Sequence, residues 1–193
     1  MKNEKLQFKI KNLILVLAVL IFAWGILFVS FGKIMASATP TSLPTPASVD
    51  YFLAYPGILP GHFLYPIKMV RDRIWLFLTT EPLQKAQTLL LFADKRLGAG
   101  KALIEKGKEE LGITTLTKAE KYLERAIIQE EIAHQKNKET SAFLQNLRNA
   151  VKKHEEILLE LQEKVSQEKK EAIEGILKYP REGSQKIEER LGK

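Results

Sequence analysis

Apolar residues recur every three or four positions through most of the chain beyond residue 80, and this spacing constrains the fold more than any other feature. On two successive seams, large Leu and Ile alternate with small Ala and Gly, a pattern typical of helices that pack closely. A break between them over residues 107–115 predicts an antiparallel helical hairpin. The two seams are Leu83, Ala86, Leu90, Ala93, Leu97, Gly100 and Ile104, then Leu116, Ala119, Leu123 and Ala126.

A third seam predicts one long helix over residues 141–178, about 60 Å in length. His154 and Glu168 interrupt this seam, so we expect the distal half to project from the bundle. Tyr179 and Pro180 should end the helix, and residues 181–193 should fray. The fold class is therefore all-α, with a helical domain at 51–140 and a long C-terminal helix with a frayed tail at 141–193. The seam residues are Leu144, Leu147, Val151, Leu158, Leu161, Val165 and Ala172.

A shorter amphipathic helix is predicted to begin at Pro66, because proline suits the first turn of a helix. Thr79 or Thr80 should cap the next helix, with Pro82 in its first turn. The apolar face of the short helix comprises Ile67, Val70, Ile74 and Phe77, opposite Lys68, Arg71 and Asp72.

The stretch Asn12 to Gly32 contains no charged residue, and a helix of that length spans the hydrocarbon of a bilayer, roughly 30 Å. Four lysines precede it, at positions 2, 5, 9 and 11, whereas Lys33 alone follows closely. This asymmetry predicts a cytoplasmic N-terminus and a C-terminal domain outside the cell membrane. Residues 1–36 thus form a membrane anchor or a signal segment, and residues 12–32 are the membrane contact.

Two fates of this segment stay open. Ala36 and Ala38 have the spacing of a signal peptidase site, and cleavage after Ala38 would release the domain. The apolar stretch is longer than the core of a usual signal peptide, which favours an uncleaved anchor. Residues 37–50 are rich in Ser, Thr and Pro and predict a semi-rigid spacer.

Residues 51–66 contain five aromatic side chains and two Pro-Gly pairs, which mark tight turns. We expect this loop to fold back as a lid over the helical core, since aromatic surface is costly to leave in water. The alternatives are an exposed recognition patch or contact with the membrane interface.

Three elements in order, Leu59-Pro60-Gly61, then Tyr65 with Lys68, then Ala93 with Arg96-Leu97, follow the pattern L-P-G-x-x-x-Y-x-x-K and A-x-x-R-L. Over roughly residues 55–130 the chain resembles a family of bacterial exported domains of unknown function. The resemblance implies a membrane-anchored or secreted all-helical domain and brings no activity. Pro60 and Gly61 should set a turn, Tyr65 should pack under the lid, and Lys68 and Arg96 should cap or pair with carboxylates.

Composition and motifs favour a binding module over an enzyme. The absence of Cys excludes thiol nucleophiles and Cys-ligated metals. Glu131 and His134 have the Glu-x-x-His spacing of metal-binding bundles, but one copy does not complete such a site. The net charge of +7 comes from interspersed Lys and Glu, so we expect no nucleic-acid partner. No cofactor is predicted.

We therefore expect a non-catalytic, membrane-tethered module outside the cytoplasm that binds an envelope protein or polymer. Its groove would lie between the lid and the helix that begins near Leu83, or along the C-terminal helix. The alternative is a sensor that binds a metal or small ligand through Glu131 and His134, and a third possibility is an enzyme of the envelope. The expected interaction and lid residues are Tyr55, Leu59, Pro60, Gly61, Phe63, Tyr65, Lys68 and Arg96.

Overall fold

A computed structural model describes residues 50–192. These residues form five helices and no strand, which confirms the all-α prediction for this part of the chain. The predicted anchor and nearly all of the spacer lie outside the described residues, and no helix within 50–192 is both long and apolar enough to cross a membrane. The helices are α1 (Tyr65–Leu78), α2 (Pro82–Glu105), α3 (Glu109–Gln135), α4 (Ser141–Lys164) and α5 (Gln167–Leu191).

Helices α2 and α3 form the predicted antiparallel hairpin, and their seam residues are buried almost throughout. The turn between them is shorter than expected: α2 ends at Glu105 and α3 begins at Glu109, so Gly112 and Thr115 lie inside α3. Gly107 has a φ of 72° and donates its amide to the carbonyl of Ile104, which lets the chain reverse in three residues.

The hairpin is closest where Gly100 of α2 faces Gly112 of α3. A Cβ atom on Gly100 would lie 2.5 Å from Cδ2 of Leu116 and 3.2 Å from the carbonyl oxygen of Gly112. A Cβ atom on Gly112 would lie 2.6 Å from Cγ1 of Ile104. These glycines are therefore required by packing, since an alanine at either position forces the two backbones apart.

We expect Gly100→Ala to lower the free energy of unfolding by about 1–2 kcal/mol, because overpacking outweighs the gain in helix propensity. Gly175 of α5 provides a matched control, since a Cβ atom there meets no atom within 4 Å. Gly175→Ala should raise the free energy of unfolding by about 0.5–1 kcal/mol. Urea denaturation of both variants measures the difference, and equal effects would contradict the close approach.

The single helix expected over 141–178 is wrong, as is its projecting distal half. The chain breaks at Val165 and Ser166, both extended, and α5 folds back against α4 and α3. The hydroxyl of Ser166 donates to Glu109 at 2.8 Å, which ties this turn to the start of α3. Residues 141–191 therefore share both hydrophobic clusters with α2 and α3 rather than forming a separate part.

The frayed tail is also wrong, because α5 continues through Pro180 to Leu191. Ile187 is almost fully buried, and Gly183 lies against Ile127 of α3. The guanidinium of Arg190 donates to the buried carboxylate of Glu130, with Nη2 to Oε1 at 3.1 Å. Packing and this ion pair hold the last turns helical despite the hydrogen bond that a proline removes.

Helix α1 packs on α2 through a small contact. The predicted caps are wrong here: the Glu81 side chain accepts from the amide of Gln84 at 2.7 Å and caps α2, whereas Thr79 ends α1. The hydroxyl of Thr79 donates to the carbonyl of Trp75 at 2.9 Å. A connection of three residues, 79–81, therefore separates the two helices.

Candidate interaction surface

The outer side of α1 is an exposed apolar stripe, which we define as Ile67, Val70, Ile74, Phe77 and Leu78. Phe77 is 82% exposed and Ile67 is 67% exposed. This is the face that the helical pattern marks as apolar, and in a globular domain such a face is ordinarily buried. Of the thirteen large apolar side chains exposed within residues 50–192, eleven lie between residues 52 and 78. The exposed apolar side chains are therefore concentrated in one segment of the chain.

The opposite side of α1 carries the contacts that hold it down. Asp72 and Leu76 are both buried, and Leu76 joins the core of the bundle. Oδ1 of Asp72 accepts from Nη2 of Arg71 at 2.8 Å, and Oδ2 lies 3.7 Å from Nη2 of Arg96 on α2. A buried carboxylate thus replaces the apolar contact that the sequence pattern predicts for this helix.

Arg96 is the buried cation that joins α1 to the hairpin. Its guanidinium carbon lies 4.2 Å from the ring centroid of Tyr122 and 5.4 Å from that of Phe92. Nη1 donates to the carbonyl of Phe92 at 3.1 Å. The predicted pairing of Arg96 with a carboxylate across helices is confirmed, and the partner is Asp72. Stacking on two rings lowers the cost of burying the charge.

Exposed arginines flank the apolar stripe. At about 100° per residue, Arg71 lies roughly 70° to one side of the stripe's centre and Arg73 roughly 90° to the other. Both side chains are exposed, although Arg71 also reaches back to Asp72. The apolar stripe of α1 therefore has a positively charged side chain on each side.

The aromatic loop covers the core only in part. Tyr51 and Leu53 pack on the two hydrophobic clusters, and Pro60 is buried, as expected for a lid. Tyr55 and Phe63 instead are 83% and 80% exposed. These two therefore belong to the exposed surface rather than to the lid.

The turn at Pro60 and Gly61 is confirmed, since Gly61 has a φ of 93° and the amide of His62 donates to Leu59 at 3.2 Å. Tyr65 is half-buried, and burial is the main cause that raises the pKa of its hydroxyl. Within residues 50–192, Lys68 contacts neither a helix end nor a carboxylate. Its Nζ donates to the carbonyls of Pro56, at 2.8 Å, and Ile58, at 3.2 Å, and so holds the loop against α1.

An open concavity lies where the expected groove was placed, between loop residues 57–62 and the end of α2. Leu103, Lys106 and Lys108 form its other wall. Its lining is mainly apolar, and the two lysines are exposed. It adjoins the exposed part of the loop.

A buried polar cluster that the sequence did not predict lies between α2, α3 and α4. His154 is fully buried, with Nδ1 2.8 Å from Oε1 of Glu120 and Nε2 3.1 Å from Oδ1 of Asp94. The hydroxyl of Tyr51 donates to Oδ2 of Asp94 at 2.8 Å. The available signal was His154 itself, a polar residue on an apolar seam.

The two carboxylates beside His154 determine its protonation state. Burial alone lowers the pKa of His154, but the adjacent Glu120 charge and the hydrogen bonds to Asp94 and Glu120 outweigh it and raise the pKa to about 9. His154 is therefore a cation at neutral pH that bridges two carboxylates. Burial and the Asp94 charge likewise raise the pKa of Tyr51, which keeps its hydroxyl a donor.

Among the described residues, no further ligand joins the two metal candidates. Glu131 and His134 are exposed on α3, and Glu131 accepts a long hydrogen bond from Gln135 at 3.4 Å. They line an open concavity with Arg190, a cation that opposes a metal ion. Within residues 50–192, no cluster of three or more His, Asp or Glu side chains is arranged to hold a metal.

One comparison with known proteins finds a family that has no assigned activity. The family described as "Domain of unknown function (DUF5667)" matches residues 57–177. The match extends beyond the 55–130 segment of the motif resemblance and includes α4 and part of α5. Neither the curated proteins nor the solved structures contain a match to the chain. The family match covers more than half of the sequence, and the chain therefore belongs to this family of uncharacterised domains.

Proposed function

We propose that this protein is a non-catalytic binding module of the cell envelope, tethered to the membrane through residues 12–32 and displayed outside the cytoplasm. One observation carries the proposal: the apolar stripe of α1 is exposed together with Tyr55 and Phe63 of the adjoining loop. An apolar helix face that is exposed in this way marks a docking site in soluble domains, because leaving it in water is costly.

The way in which α1 is held supports a docking role. The stripe is not exposed because the helix is misplaced, since Asp72, Leu76 and Arg96 fix the opposite side to the bundle. The polar anchor turns the apolar side outward and keeps it there. A surface that already faces outward before binding needs little rearrangement when it binds.

The tether rests on the sequence. Residues 12–32 are uncharged and preceded by four lysines, and the spacer that follows joins this segment to the domain. The envelope location follows from the same charge asymmetry. The tether would keep the docking surface close to the membrane.

Fractionation and protease treatment of cells that make the protein test this proposal. We expect full-length protein in the membrane fraction, with residues 50–193 digested by proteinase K added to intact spheroplasts. A detergent-permeabilised sample serves as the control for the intrinsic susceptibility of the domain. A domain protected until detergent is added contradicts the envelope location, and a soluble product that begins at Thr39 contradicts the tether.

A further inference from the structure

The charge on the segment that carries α1 indicates what covers it. Residues 51–78 contain one acidic side chain, Asp72, which is buried and bound by Arg71. The exposed charge of this segment is therefore cationic, from Arg71 and Arg73. A second copy docked face to face would bring like charges together at the rim, which is destabilising, whereas an anionic surface would complement them.

The arrangement of side chains on α1 is that of a helix that lies in a membrane interface. Such helices bury an apolar face at the boundary between headgroups and acyl chains, with Lys or Arg at the edges of that face. Aromatic side chains are enriched at the same depth. The stripe of α1, its two arginines, and the nearby Trp75 and Phe63 match this arrangement.

The position of α1 in the chain would also keep this helix close to the bilayer. The uncharged stretch ends at Gly32 and the described domain begins at Asp50, so 17 residues separate them. Even fully extended, such a spacer reaches only about 60 Å. A tether of this length holds α1 at an effective concentration of about a millimolar near the same bilayer, so weak contacts suffice.

We infer that the apolar stripe of α1 docks on an anionic lipid bilayer, with the stripe at the acyl boundary and Arg71 and Arg73 among the lipid phosphates. The inference rests on the proposed tether for its proximity and names the partner of the same surface. The domain would then lie against the membrane, and the concavity beside the loop would face an envelope partner at the membrane edge.

A single fluorophore can report this contact, because the chain contains no Cys. Full-length Phe77→Cys, labelled with an environment-sensitive dye, is reconstituted into vesicles of phosphatidylglycerol and phosphatidylcholine. We expect the emission of the dye to shift to the blue. We also expect its fluorescence to be quenched by lipids that carry a nitroxide on the acyl chain. Leu159→Cys, on the exposed side of α4, is the matched control and should show neither effect.

Ile67→Glu combined with Ile74→Glu should abolish the blue shift and the lipid quenching at position 77, since both side chains are exposed and the substitutions leave the core intact. Both the blue shift and the lipid quenching should be smaller in vesicles of phosphatidylcholine alone, because these lipids carry no net negative charge. Circular dichroism verifies that the variant retains its helices.

Three outcomes overturn the inference. A label at position 77 as accessible to aqueous dithionite as one at position 159 means that the stripe does not touch lipid. A label shielded from dithionite without lipid quenching means that protein covers the stripe, either a second copy or residues 12–32. Quenching that survives the double substitution means that the stripe is not the contact. Failure of the protein to float with the vesicles instead contradicts the tether, and so separates the two proposals.

Discussion

His154→Leu is expected to lower the free energy of unfolding at pH 7 by about 3–5 kcal/mol, because it removes the cation between two buried carboxylates. Asp94 and Glu120 would lose the partner that each contacts within 3.1 Å. Leu has a similar volume, so the effect reports charge and hydrogen bonding rather than a cavity. Urea denaturation measures the change.

The pH profile distinguishes this explanation from simple loss of packing. Since the pKa of His154 rises from 6.5 to about 9 on folding, its protonation contributes stability that is fully present below pH 6.5 and is lost as the pH rises through 9. The shift corresponds to about 3 kcal/mol. Wild-type stability should therefore fall between pH 6.5 and 9, and His154→Leu should lack this slope.

His134→Leu is the matched control, because His134 is exposed on α3. Its stability and pH profile should follow the wild type. If both histidine variants lose the same stability, or if the wild-type profile is flat from pH 6.5 to 9, the buried imidazolium is not the stabilising group.

Arg96→Met is expected to lower the free energy of unfolding by about 2–3 kcal/mol and to release α1 from the bundle. The substitution leaves buried Asp72 with Arg71 as its cationic partner, so the loss is smaller than for a fully orphaned charge. Helix α1 has few other contacts with α2. Hydrogen exchange should therefore show faster exchange of α1 amides while α2 to α5 stay protected.

Arg125→Met provides the control for this result. Arg125 is exposed and lies 5.4 Å from the ring centroid of Tyr122, the same ring on which Arg96 stacks. It makes no ion pair with Asp72 among those found within residues 50–192. Unchanged protection of α1 in Arg96→Met, or an equal stability loss in Arg125→Met, would show that the Asp72–Arg96 contact does not hold the helix.

The hairpin was predictable because its pattern is local and its packing is simple. A seam that alternates Leu with Ala, and places Gly100 opposite a second small residue, leaves one good way for α2 and α3 to meet. The turn at Pro60 and Gly61 was predictable for a similar reason, since few conformations suit that pair.

The C-terminal half was predicted wrongly because tertiary packing overrode local signals. Val165 and Ser166 have no helix-breaking character comparable to Pro180, yet the chain turns at the former and continues through the latter. Burial of Ile173, Leu177 and Ile187 against the hairpin decides both outcomes, and a helical repeat in one segment contains no information about that second surface.

The candidate surface and the His154 cluster were likewise predictable only in part from the sequence. The sequence by itself determined that α1 is amphipathic and that His154 interrupts an apolar seam. Only the tertiary structure decided that the apolar side of α1 faces outward and that His154 meets two carboxylates. The physical reason is that a buried ion pair depends on residues far apart in the chain, such as Asp72 with Arg96 and Glu120 with His154. Because burying a charge is costly unless its partner is brought to it, such a pair forms only where the fold joins the two segments, and the pattern of one segment does not reveal it.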